Sequence, residues 1–306
     1  MAFFMKGSRY GRRNFIKDTS ALLAAASLPL SALSMKLPPK FKMGLQLFTI
    51  RDVMEKDPIG SLQRVHDLGY QDLETYGYEP KENSFYGYKA DTFKNILEDH
   101  QLTTSTGHYN FSDFLSQPED KLMQYTDQCI IGAKTLEQSY ITWPWLAPEF
   151  RTIEAFKLVS EKLNLVGERV VSAGLGFAYH NHGFEFIEHD GEIGYNIITQ
   201  ETDPSLVKLQ LDFYWVMHSA KETPAQIIAK DPMRFVMWHI KDMDKVSRDY
   251  TELGNGSINY TEILNDTSQK GLEFYFIEQG GNFAHNSMQS ITDSADYFKK
   301  NLQQYL

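Results

Sequence analysis

From Lys42 onward, short runs rich in β-branched and aromatic residues alternate with longer stretches in which apolar residues recur at helical spacing. Eight short runs predict strands: MGLQLFTI (43–50), YQDLETY (70–76), LTTSTGHY (102–109), AKTLEQSYI (133–141), LGFAYHNH (175–182), VKLQLDFYW (207–215), FVMWHIKDM (235–243) and EFYFIEQ (273–279). The helical pattern is clearest in TIEAFKLVSEKLNLVGERVVSAG (152–174), which Gly174 closes. Pro58, Pro118, Pro224 and the Asp231-Pro232 pair stand at expected helix boundaries. No low-complexity linker or charge block divides the stretch. Eight strand–helix repeats over this length predict an α/β fold, a single-domain (β/α)8 TIM barrel across residues 41–306. An open doubly wound sheet is the competitor, but no glycine-rich phosphate turn follows the first strand.

Strands covered on both faces should be almost wholly apolar, so their polar residues carry the information. These fall near the carboxyl ends, where barrel enzymes place their chemistry: Glu74, His108, His180 with His182, Asp212, His239 with Lys241, and Glu278. Alternation puts Ala178, His180 and His182 on one face and Phe177, Tyr179 and Asn181 on the other. It likewise opposes Gln210 and Asp212 to Leu209, Leu211 and Phe213, and His239 and Lys241 to Trp238 and Ile240. The bulky residues then face the helices and the polar ones the barrel axis. Singly, each has an ordinary role: a hydrogen-bonded strand-end histidine, a solvated Lys241–Asp242 ion pair, a capped strand end at Glu74. Together they are costly to bury without a compensating cation.

The only cysteine, Cys129, lies in a helical, partly apolar stretch and reads as a buried inert thiol. Metal ligands must therefore be oxygen and nitrogen, which favours Mn, Co, Zn, Fe or Mg. The formal charge is −10. Residues 1–34 carry five basic side chains (Lys6, Arg9, Arg12, Arg13, Lys17) against Asp18, which leaves −14 on the remainder. Such a chain is a poor match for nucleic acid or an anionic membrane. The segment GRRNFIKDTSALLAAASLPLSAL (11–33) resembles a twin-arginine export signal. Its apolar run is short and contains Pro29, so cleavage and a periplasmic or otherwise exported product are expected, with no stable membrane insertion.

The whole mature chain, from GLQLFTIRD through LDFYWV and HIKD to FIEQGG, resembles the xylose isomerase-like TIM barrels, the sugar phosphate isomerase/epimerase family. In that family Glu, Asp, His and Glu from successive strands hold a divalent metal. The resemblance carries the last three ligands onto Asp212, His239 and Glu278, with Glu278 also a base. The first departs: where the family has Glu-Asn-His, this chain has His180-Asn181-His182. An imidazole in place of a carboxylate makes the metal site more electropositive and removes one of two bases that would act on opposite faces of the substrate carbon. Whether His180 or His182 is the ligand stays open, because a one-residue error in the strand end exchanges them.

These residues imply proton abstraction beside a carbonyl, with His182, Glu185 and Glu278 as candidate bases and Lys241 neutralising an oxyanion. Glu185 has a second reading, as a carboxylate that orients a neighbouring histidine. Glu74, His108 and His285 are candidate substrate contacts, and Gly280 and Gly281 allow close backbone approach. Trp143 and Trp145 either form a sugar-stacking wall or pack their own loop. The expected substrate is a non-phosphorylated sugar or keto-sugar, since sugar phosphates are chiefly cytoplasmic. Isomerisation or epimerisation is one outcome, elimination from a 3-keto-glycoside by a lyase or hydratase a second, and sugar binding without chemistry a third. The sequence leaves self-association into a homo-oligomer open.

Overall fold

Eight parallel strands close into a barrel in chain order: β1 (Gly44–Gln46), β2 (Asp72–Thr75), β3 (Thr103–His108), β4 (Tyr140–Trp143), β5 (Gly176–His180), β6 (Lys208–Asp212), β7 (Phe235–Ile240) and β8 (Phe274–Ile277), with β1 pairing both β2 and β8. The protein is described by a computed structural model over residues 39–306. The expected export segment, residues 1–34, lies outside the described residues. Helices connect successive strands, so this is the single (β/α)8 barrel that the eight repeats predict. Among the described residues no helix is long and apolar enough to cross a membrane.

Helix ends follow local chemistry. Pro58 and Pro224 open the helices Pro58–Asp67 and Pro224–Lys230, the second with a capping box between Thr223 and Gln226. Gly174, at φ +83°, ends the helix Ile153–Ser172 in the left-handed conformation that favours glycine. Two expected strands shift at their edges. Ala133–Thr135 finish the helix Glu119–Thr135, because Ala and Lys extend a helix more readily than they start a strand, and β4 begins only at Tyr140. Phe213–Trp215, aromatic enough to look like strand, instead begin the helix Phe213–Ser219, since the Asp212 side chain accepts from the Trp215 N–H and caps it.

The main core lies between strands and helices and includes Phe177, Tyr179, Leu209, Leu211, Trp238 and Ile240, the outward set that alternation predicts. A small separate cluster of Tyr140, Ala178, Val236, Met237 and Phe276 fills the barrel. Gly176 makes room for it, since a Cβ there would meet the Tyr140 ring at 2.2 Å. Two residues further along the same faces stand Thr142, His180, His239 and Glu278, so the apolar plug gives way to polar groups toward the carboxyl ends. Cys129 is buried, and that burial pushes its thiol pKa up.

Candidate active site

The inward side chains form two tiers joined by one imidazole ring. In the lower tier, Glu74 on β2 is completely buried. Its carboxylate accepts from Gln46 Nε2 at 2.5 Å, Gln210 Nε2 at 2.6 Å and His239 Nε2 at 2.5 Å, with His108 Nε2 at 3.0 Å. Burial opposes its charge, but His108 and His239 outweigh that and hold the carboxyl well below its ordinary pKa. His239 also presents Nδ1 to Glu278 Oε2 at 2.7 Å. With a carboxylate on each nitrogen, the ring is an imidazolium. Burial works against that charge, yet Glu74 and Glu278 push the His239 pKa up to about 9.

The upper tier surrounds Asp212 and Glu278. Lys241 Nζ lies 2.6 Å from Asp212 Oδ2 and 2.5 Å from Glu278 Oε2, and all three side chains are buried. These contacts have salt-bridge distances but not hydrogen-bond angles, and Asp212 Oδ2 has no hydrogen-bond partner among the described residues. Burial works against the Lys241 charge, but the two carboxylates raise its pKa. The ammonium and His239 together hold Glu278 well below its ordinary value against the effect of burial. The expected Lys241–Asp242 pair does not form. Asp242 instead accepts backbone N–H groups of Met243, Gly254, Gly256 and Ile258, a set that folds the loop after β7.

His180 is buried, with Nε2 3.8 Å from Asp212 Oδ2 and Nδ1 unpartnered. His182 is further out, its ring against Trp145, Phe184 and Trp215 at centroid distances of 5.2, 5.5 and 5.6 Å, and its Nδ1 is also buried without a partner. Burial first, then neighbouring positive groups, push both pKa values well below the usual imidazole range, so both rings are neutral. His180 is thus the nearer of the two to the carboxylates.

Donor atoms of Asp212, His239 and Glu278 lie within 4.8 Å of one another, and those of His108, His180 and His239 form a second such group. At 4.8 Å two carboxylates repel by about 3 kcal/mol at an effective dielectric of about 20, so the pair needs a cation. A divalent metal fits this oxygen and nitrogen set once His239 gives up a proton to free a ring nitrogen, and the unpartnered Asp212 Oδ2 is an oxygen it would satisfy. Lys241 already projects into that gap.

Above the polar groups is a cavity of about 820 Å³ whose floor includes His108, His180, His182, Lys241 and Glu278. Its walls are aromatic: Phe48, Tyr76, Trp145, Phe184, Trp215 and Tyr250, contributed by segments that follow the carboxyl ends of several strands. Arg151 packs its guanidinium 4.3 Å from the Trp145 ring centre and 4.0 Å from that of Phe184, and donates Nε and Nη2 to the Leu146 carbonyl.

Other expected residues fall elsewhere. Glu74 lies beneath the cavity and contacts protein groups only. Trp143 is in β4, fully buried against Phe111, and donates Nε1 to the Trp145 carbonyl, so of the two tryptophans only Trp145 forms wall. His285 is exposed and does not line the cavity. Glu185 is buried behind the loop, accepting from Tyr179 Oη at 2.7 Å and the His182 backbone N–H at 2.9 Å, which ties down the segment that carries His182. Gly280 reaches the cavity, and a Cβ there would meet the Tyr250 ring at 2.8 Å, whereas Gly281 has nothing within 4 Å. Sequence reasoning missed Gln46, Arg151 and most of the wall. Gln46 had a signal, sharing a strand face with Gly44; Arg151 had none.

A family profile described as "Xylose isomerase-like TIM barrel" matches residues 62–300. No curated protein sequence matches the chain. Among solved structures, a sugar phosphate isomerase/epimerase from Parabacteroides distasonis is 26% identical with a TM-score of 0.73, covering 85% of this chain and 98% of that one. A probable 3-DHS dehydratase from Bacillus anthracis is 15% identical with a TM-score of 0.68, covering 85% and 100%. An IOLI protein with a bound zinc atom is 15% identical with a TM-score of 0.68, covering 87% and 99%. The last two are likenesses of fold.

Proposed function

Since the chain belongs to the xylose isomerase-like TIM-barrel family, we propose that it is an isomerase/epimerase-like enzyme that moves a proton at a carbon next to the carbonyl of a non-phosphorylated sugar or keto-sugar. The observation that carries this reading is the neutral His182 ring, which lines the same cavity as Glu278 and whose Nδ1 is buried with no hydrogen-bond partner among the described residues, so the ring is not committed to another protein group through that atom. His182 is the group to take the proton, and Glu278 faces the same cavity. His180, neutral and buried behind it, keeps that end of the site free of a further carboxylate.

Asp212, His239 and Glu278, with His180 beside them, would hold a divalent ion, which when bound supplies Lewis-acid polarisation of a carbonyl oxygen. The aromatic walls offer faces to the C–H surfaces of a sugar ring. The substrate choice rests on the cations. Among the described residues Lys241 and Arg151 are the lysine and arginine that line the cavity; Arg151 is engaged by the Leu146 carbonyl and two rings, which leaves at most the single ammonium of Lys241 for a substrate, against the nearly two negative charges of a phosphate group. The export expected from residues 1–34 belongs to the same reading. Elimination from a 3-keto-glycoside is the second reading, favoured by His180, which stands where the family has one of its two bases.

Incubation of the manganese-loaded protein with free ketoses, 3-keto-glycosides and a phosphorylated ketose in deuterated water tests both. Solvent deuterium in an intact non-phosphorylated sugar is the expected result, and aglycone release would transfer support to elimination. Turnover of the phosphorylated ketose alone would overturn the substrate choice, and no exchange or cleavage at all would sink both reactions.

A further inference from the structure

The position a metal would take between Asp212 and Glu278 is held by the protein's own ammonium. Lys241 Nζ is 2.6 Å from Asp212 Oδ2 and 2.5 Å from Glu278 Oε2, the same two carboxylates that belong to the oxygen and nitrogen donor group with His239. A divalent ion at bonding distance from both oxygens leaves no space for that ammonium and would repel it strongly in so buried a place. We propose that Lys241 is a built-in occupant of this cation position: ammonium and divalent metal exclude one another, and loading turns the lysine out into the cavity as a substrate contact. This rests on the metal reading of the same site.

The surroundings leave the ammonium one way to go. The Lys241 backbone is pinned on both sides by one hydroxyl, its N–H donating to Tyr260 Oη at 2.9 Å and its carbonyl accepting from Tyr260 Oη at 2.5 Å, so the strand end cannot retreat. The side chain lines the cavity, and the Tyr250 ring, 6.0 Å from Nζ, offers a face that favours a cation. A four-carbon stem with free rotamers can make that swing while its Cα stays fixed. In the metal-free protein the lysine neutralises two buried carboxylates; in the loaded protein it brings a positive charge to substrate oxygens only after the site behind it is filled.

Two measurements on the full-length protein test this, neither of them using turnover. Calorimetric titration with manganese chloride should show at least tenfold tighter binding to Lys241→Met and Lys241→Gln than to wild type, because no internal cation has to be displaced; equal or weaker binding would overturn the proposal. Should neither variant fold without metal, wild-type protein decides alone. Mass spectrometry after brief treatment with an amine-acylating reagent should find Lys241 protected in metal-free protein and modified several-fold more after manganese is added. Identical labelling in the two states would overturn the exclusion while leaving the proposed reaction standing. A wild type and variants that all bind no divalent ion would remove the metal reading and this proposal together.

Discussion

Glu74 and the Asp212–Glu278 pair are buried carboxylates linked through one ring, His239, yet they are neutralised in different ways. Glu74 is met by groups from four strands: Gln46 on β1, His108 on β3, Gln210 on β6 and His239 on β7. These are short or planar side chains whose directions the barrel sets, and together they leave the carboxylate one geometry. Asp212 and Glu278 share an ammonium on a flexible stem, and the Asp212 oxygen that meets it has no hydrogen-bond partner among the described residues. Fixed donors make a permanent part of the fold. A single mobile cation makes a place that can be vacated and refilled, and this is the end of the barrel that opens on the cavity.

The strongest break of that contrast is Glu74→Ala. It leaves two imidazoles and two amides facing a void, and His239 keeps only one of its two carboxylates. Removing one partner from a buried charged network costs about 3–5 kcal/mol, to be read as loss of unfolding free energy in urea. A loss below about 1 kcal/mol would show that the lower tier is not structural.

Glu185 extends the comparison to a buried carboxylate bonded only by neutral donors, Tyr179 Oη and the His182 N–H. Burial raises its pKa from 4.5 to about 7. The fold therefore prefers the protonated acid, so this group's contribution to stability is present below about pH 4.5. It is lost as pH rises toward about 7, by about 3 kcal/mol at most. Glu185→Gln should abolish that slope and exceed wild type at pH 8 by on the order of 2 kcal/mol. Thermal unfolding from pH 4 to 8 checks this, and superimposable profiles for the two proteins would count against it.

The smallest stability change is expected for Asp212→Asn, which keeps the Oδ1 cap on the Trp215 N–H and leaves Lys241 the Glu278 carboxylate, toward which its ammonium shifts away from the new amide N–H2. The cost is about 1 kcal/mol. Manganese affinity, by contrast, should fall by more than about a hundredfold, since a ligand itself is altered. A stability loss as large as that of Glu74→Ala would erase the difference between the tiers.

The periodicity of the chain determined more of this protein than its helix and strand edges did. Eight repeats set the barrel, and alternation along LGFAYHNH, LQLDF and FVMWHIKD set which side chains face inward, so the inward set and the outward core agree with the structure. Those are local properties: a pleated strand fixes the face of each residue whatever lies beside it. Partnership is not local. Lys241 stands next to Asp242 in sequence, yet adjacent strand residues point opposite ways, so its carboxylates come from β6 and from the end of β8, while Asp242 turns to backbone N–H groups. Glu74 reads as a strand-end acid until closure of the barrel brings β1, β3, β6 and β7 around it. Trp145, Phe184, Trp215 and Tyr250 meet at one cavity only because the segments that carry them follow strands at the same end of the barrel. Sequence alone decided which residues point to the axis and at which end; tertiary closure decided which of them touch, because contacts across a barrel depend on strands far apart in the chain.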